Sequence, residues 1–231
     1  MDGETVGLDD VFSNGADYPG DLSLDAKEAV NCRCTMNVGV ERRKRMYGVR
    51  YEDAMGVDMD YVNSDEYAEK YRGITGDSDI DTKPLEAARR ALELNSDTDN
   101  ESMTFIDMET GESRTVDSDI PGGISYSPDV IEFIDRFRDG EPRLAVVHNH
   151  PNGTPPSADD LSKMSENNYA RAVVAGHNGQ VYTYDYHGPV LDEKLRDSIA
   201  DRIALLCEYG YDVDRAFGEI FQEYGLSYEL R

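Results

Sequence analysis

The stretch that most limits how this chain can fold runs from Leu144 to Asp160, LAVVHNHPNGTPPSADD. Leu144–Val147 is a short unbroken apolar run, the pattern of a strand buried on both faces. Pro151 has no N–H to give a ladder, so the strand must end there. Asn152 and Gly153 turn the chain, Pro155 and Pro156 stiffen its return, and Ser157 is a good helix N-cap. A buried strand, a sheet rim, a tight turn and a new helix are therefore specified together.

The strand period of two puts His148 and His150 on one face, at a rim expected to be open to solvent and ligand. Asp160, three residues after Ser157, lies in the first helical turn, from which a carboxylate can point back at both imidazoles. Two imidazoles and one carboxylate leave a fourth zinc position open, the catalytic arrangement rather than the closed structural one. Each half also has an ordinary explanation. Ser157-x-x-Asp160 is a variant capping box that needs no metal, and strand histidines can be satisfied by backbone carbonyls. The conjunction of the two at a strand end favours a metal site. Asp159 is the competing carboxylate, and Ser157 as the cap favours Asp160.

The rest of the chain frames this stretch. Pro84 opens PLEAARRALEL, with Leu85, Ala87, Ala88, Ala91 and Leu92 at helical spacing. Met103–Asp107 alternates, METG at 108–111 turns, and Ser113–Val116 returns. Ser127 and Pro128 start a second helix whose expected buried stripe is Val130, Ile131, Ile134 and Phe137. Arg171–Ala175 and Val181–Tyr186 read as a hairpin around HNGQ at 177–180, and Tyr182, Tyr184 and Tyr186 as sheet faces first and substrate wall second. From Leu191 onward the pattern is helical. Upstream, a short helix is expected near Asp65–Tyr71, and GITGDSDIDT at 73–82 reads as a linker. The order predicts an α+β fold, a mixed sheet flanked by helices.

Charge narrows the partners. Asp and Glu total 48 against 23 Lys and Arg, a formal charge of −25 that repels nucleic-acid phosphates and anionic headgroups. The basic island Arg42–Arg45 is better explained by ion pairing within the protein than by nucleic-acid contact. No apolar run is long enough for a membrane span, and the acidic start MDGETVGLDD has neither the basic nor the apolar part of a signal peptide. The 3 Cys cannot build a disulfide framework and suit a reducing compartment. Cys32 and Cys34 are expected to be structural, with Cys207 isolated in a helix. His177 and His187 are expected at turn or surface positions.

HxHP, a turn and PSxxD resemble the JAB/MPN metalloprotease domain, whose zinc signature, often called JAMM, is an upstream Glu, HxH and a downstream SxxD. The resemblance covers about residues 84–188. In many members SxxD lies one residue further from the second His; the register here is similar to that of the phage-encoded subgroup. It implies a cytidine-deaminase-like mixed sheet and Zn2+ held by His148, His150 and Asp160. The upstream Glu would be Glu101, acting as general base and then acid, with Glu93, Glu109 and Glu112 as rivals. Ser157 resembles the serine that steadies the tetrahedral oxyanion. The implied reaction is hydrolysis of a peptide or isopeptide bond in a protein or peptide substrate, with the zinc lowering the pKa of its water toward about 7.

A second resemblance lies upstream. YPGD at 18–21 followed by NCRCT at 31–35 resembles the C-terminal end of a phage head-morphogenesis (Mu-type minor head protein) domain, and AARRALELNSDTDNESMTFIDMETGE resembles the segment before HNHP in phage minor head proteins. The implied organisation is a head-morphogenesis fragment over 1–40, an acidic, partly helical linker over 41–83, the JAB/MPN-like domain over 84–188 and a helical extension over 189–231. The implied setting is a virion or host cytoplasm, with phage head or portal proteins as partners. A structural minor head protein with a catalytically silent domain is the alternative.

Overall fold

A computed structural model describes residues 55–119, 123–186 and 191–231, together with the backbone of 45–46 and 49–50. All lie in one compact unit, Lys44–Arg231. Cys32, Cys34, the segment 1–40, Arg42, Arg43, Lys44 and His187 fall outside the described residues, as does the side chain of Arg45.

Strands β1 (Arg45–Met46) and β2 (Val49–Arg50) pair antiparallel. Two short helices follow, α1 (Met59–Val62) and α2 (Asp65–Glu69). Asp58 caps the first by accepting from the backbone N–H of Asp60 and Tyr61, and Ser64 caps the second through Tyr67 N–H. Helix α3 (Thr82–Asn95) buries Ala87, Ala88, Ala91 and Leu92. Then come β3 (Ser102–Asp107), β4 (Ser113–Asp117), α4 (Pro128–Asp135), β5 (Leu144–His150) and α5 (Ala158–Glu166). The chain ends with β6 (Arg171–Gly176), β7 (Val181–Asp185), α6 (Glu193–Glu208), α7 (Val213–Glu223) and β8 (Ser227–Leu230).

Six strands form one mixed sheet in the order β4-β3-β5-β6-β7-β8, with β5 and β6 parallel and every other pair antiparallel. The fold is α+β, and the sheet separates two apolar cores. Phe105, Leu144, Val146, Val174, Tyr182 and Tyr184 face α4, α5, α6 and α7, while Ile106, Ala145, Val147, Val173, Ala175 and Val181 face α3 and the segment before it. Each such fully buried large side chain contributes about 1.5–3 kcal/mol. Strand β5 is buried along its whole length, as its apolar run requires.

Three expectations are corrected. Residues 73–82 are not a bare linker. Ile74 and Ile80 enter the core beside α3, and the Asp81 carboxylate accepts from the N–H of Gly73 and Thr75 at 2.8 Å each. Two apolar anchors on a short polar segment are invisible to a periodicity count. The stripe of α4 is Val130, Phe133 and Ile134, with Ile131 44% exposed. The spacing i, i+3, i+4 selects Phe133, whose ring also lies under the Arg114 and Arg136 guanidinium groups. Finally, the C-terminal segment is not all helix: β8 adds an edge strand to β7, placing Tyr228 opposite Tyr184. Tyr182, Tyr184 and Tyr186 are all buried. Among the described residues no helix is long and apolar enough to cross a membrane.

Candidate metal centre

The site lies where β5 ends. In the β5–β6 pair His150 stands opposite Gly176, and the His150 carbonyl accepts from both Gly153 N–H (3.0 Å) and His177 N–H (3.2 Å). Gly153 makes the turn possible. Its φ is +67°, and a Cβ there would meet the Asn178 side chain at 2.5 Å. The turn delivers Ser157 as the N-cap of α5.

Helix α5 begins with a complete capping box. Ser157 Oγ accepts from Asp160 N–H (3.1 Å), while Asp160 Oδ2 accepts from Ser157 N–H (2.6 Å) and Ser157 Oγ–H (2.7 Å). The two readings of this tetrad therefore coexist, because the same carboxylate also faces both histidines. His148 Nε2 is 3.4 Å from Asp160 Oδ1, His150 Nε2 is 3.4 Å from Asp160 Oδ2, and the two Nε2 atoms are 3.1 Å apart. One ligand atom from each residue lies within 4.8 Å of the others. A tetrahedral ion with metal–nitrogen distances near 2.0–2.1 Å has edges of about 3.3 Å, so the spacing suits a small tetrahedral cation.

Proton positions follow from partners. His150 Nδ1 lies 2.8 Å from the Thr154 carbonyl, which can only accept, so Nδ1 carries the proton and Nε2 is turned toward Asp160. This outer partner fixes the ring as metal-ligating histidines require. His148 Nδ1 is buried and has no hydrogen-bond partner among the described residues. The rim is also less open than expected, since the imidazoles are 1% and 5% exposed and the Asp160 side chain 17%. Thr154 in the turn lies against the His150 ring, and Asp160 in the first turn of α5 lies against both rings.

The cluster is electrostatically coupled. Burial alone would raise the Asp160 carboxyl, but the two imidazoles outweigh it and hold it well below the usual carboxylate range. Burial would lower His150, and Asp160 reverses this to about 9. Two close imidazoles and a carboxylate can thus hold a proton or, in its place, a cation.

Glu101 immediately precedes β3, on the face of Met103 and Phe105, and Met103 is paired with His148 across the β3–β5 ladder. Burial raises its carboxyl above the ordinary value, His150 and His148 pull it back, and Asp160 adds to the rise. It therefore senses all three members of the cluster. The rivals lie elsewhere. Glu93 is exposed on α3, Glu109 pairs with Arg143 at 2.6 Å, and Glu112 pairs with Arg114 and Arg136. Asp159 is 77% exposed and pairs with Arg196 at 3.0 Å.

His177 lies in the turn between β6 and β7, as expected, but it is not at the surface, being only 2% exposed. Its Nδ1 donates to the Met55 carbonyl (2.8 Å) and its Nε2 accepts from Asn149 Nδ2 (3.0 Å). Burial lowers its pKa and the cluster's His150 lowers it further, against the Met55 bond. Asn149 lies on the face of β5 opposite the two histidines, a position legible from the strand period alone. Its partners were not. Comparison with family models, curated proteins and solved structures gives no match.

Proposed function

We propose that this chain hydrolyses amide bonds with a zinc ion held by His148, His150 and Asp160, in a JAB/MPN-type domain attached to a phage minor head module. The observation that carries the reading is the convergence of two imidazole Nε2 atoms and one carboxylate at tetrahedral spacing, with Glu101 sensing the same cluster. A bound zinc ion would supply Lewis acidity, polarising a scissile carbonyl and acidifying water. The chain's own groups do the rest. Glu101, its affinity for a proton raised by burial, takes the proton of the attacking water and returns it to the leaving nitrogen. The Thr154 carbonyl holds the His150 ring, and Ser157 holds the Asp160 carboxylate.

A second reading, a structural minor head protein with a silent site, draws on Ser157. Its hydroxyl proton is engaged by Asp160 Oδ2, so to steady an oxyanion it must release that bond. The deciding experiment measures zinc content and cleavage by the purified chain over a panel of peptide and isopeptide substrates that includes phage head proteins. One zinc per chain, lost in the His148→Ala/His150→Ala double variant, together with cleavage supports the hydrolase. Zinc without cleavage favours the structural reading, and absence of zinc binding overturns the metal assignment.

A further inference from the structure

We infer that Asn149 is a positioning residue for Glu101, fixing the proton carrier against the two histidines from the opposite face of the sheet. The inference rests on the hydrolase reading for the role of Glu101, but the geometry behind it is independent of any metal. The last β3–β5 register pair is Met103↔His148, so β5 runs on past the point where the ladder holds the two strands together. Glu101 lies beyond that point. On one side its carbonyl accepts from Ser118 N–H at 3.0 Å. On the other, the Asn149 amide takes over from the ladder: Oδ1 accepts from Ser102 N–H (2.8 Å), and Nδ2 donates to the Asn100 carbonyl (3.0 Å). The clamp closes on the residues directly before and after Glu101.

The amide cannot be turned round. A backbone N–H faces one end and a carbonyl the other, and each has a fixed role. The remaining capacity is also used, since Oδ1 accepts from Asn95 Nδ2 (3.1 Å) and Nδ2 reaches His177 Nε2 (3.0 Å). Asn95 in turn donates to Ser102 Oγ (2.9 Å), bracing the same backbone from α3. Asn149 is wholly buried, and all of these bonds but the partly buried one to the Asn100 carbonyl form away from water, where an unmade partner is costly. Because Asn149 sits between His148 and His150 in one strand, the amide that holds Glu101 moves with the backbone that carries both imidazoles. Their mutual placement is set by one side chain.

The test compares crystal structures, zinc titration and turnover for the full-length parent, Asn149→Ala and Asn149→Asp. In Asn149→Ala the expected result is an unchanged His148–His150–Asp160 cluster and unchanged zinc affinity, with Glu101 displaced from the imidazoles. A displacement of about 1 Å is enough to cost on the order of 100-fold in rate. Asn149→Asp keeps the acceptor for Ser102 N–H but loses the donor to Asn100, so it should displace Glu101 less, and it serves if the alanine variant does not fold. Glu101 unmoved in the folded variants overturns the inference. So does zinc affinity falling while Glu101 stays in place, which would make Asn149 a support of the ligands instead.

Where the parent cleaves a panel substrate, Asn149→Ala should lower kcat with KM unchanged, and it should cost nothing further on a Glu101→Gln background. Full additivity of the two losses overturns the inference. If the parent cleaves nothing or binds no zinc, the hydrolase reading fails, while the position of Glu101 in the variant structures still decides the role of Asn149.

Discussion

An acid lies at each end of the β3–β5 strand pair, Asp107 on β3 itself and Asp160 on the helix that follows β5, and the two are engaged differently. At one end Asp107, opposite Leu144, is closed off. Arg143 grips it with Nε at 2.9 Å and Nη2 at 2.6 Å, and Thr110 Oγ–H (2.6 Å) and Glu109 N–H (3.0 Å) take what remains. Burial would raise this carboxyl, yet Arg143, Thr110 and Glu109 bring it down to about 2. At the other end Asp160 is also held well below the usual range, but its partners are imidazoles, and the Nδ1 of one has no partner of its own among the described residues. A bidentate guanidinium is permanently charged and pre-shaped for a carboxylate, whereas an imidazole exchanges its proton for a metal at the same nitrogen. The first arrangement locks a fold. The second can accept a ligand.

If that division holds, substitutions at the two ends fail in different measurements. The largest effect is expected for His150→Ala, which should take zinc content from one per chain to none while unfolding stays cooperative. Full occupancy in that variant would remove His150 from the ligand set. Glu101→Gln should keep the zinc and lose about 100- to 10,000-fold of any hydrolysis the parent shows. Parental activity in Glu101→Gln would return the role to another acid.

At the closed end the readout is stability. Asp107→Ala leaves Arg143 only its pair with the exposed Glu109 and should lower unfolding free energy by about 2 kcal/mol in denaturant titration, with zinc binding untouched. A loss smaller than that of His150→Ala would break the contrast. The same acid sets a pH dependence. Its folded value lies below the unfolded value near 3.9, so the stabilisation is complete above about pH 4 and is lost as pH falls toward 2. The amount is about 2 kcal/mol, and it should vanish from the acid-unfolding profile of Asp107→Ala. The smallest effect is reserved for Asp159→Asn. Its pair with Arg196 is exposed, so neither zinc affinity nor stability should move by more than about 0.5 kcal/mol. A loss of zinc there would put the wrong carboxylate in the site.

Much of the candidate site was legible in residues close together along the chain. Pro151, Gly153 and Ser157 set the strand end, the turn and the cap, and the strand period put His148 and His150 on one face. These are local facts, since backbone dihedrals and side-chain parity need no distant partner. The strands of the central hairpin and the α+β class followed from patterns of the same range. Burial of the rim did not, because it depends on how tightly a proline-rich turn folds back.

Long-range pairing lay further out of reach. That Glu101 faces the histidines requires Met103 to stand opposite His148, a register fixed only when the sheet closes. The burial of Ile74 and Ile80, the extra strand Ser227–Leu230 and the bond between Asn149 and His177 have the same origin. The sequence by itself therefore determined which groups sit at the end of β5 and which way they point. Only the tertiary structure decided which acid meets them and which amide holds that acid in place, because those contacts join residues far apart along the chain, which local preference cannot specify.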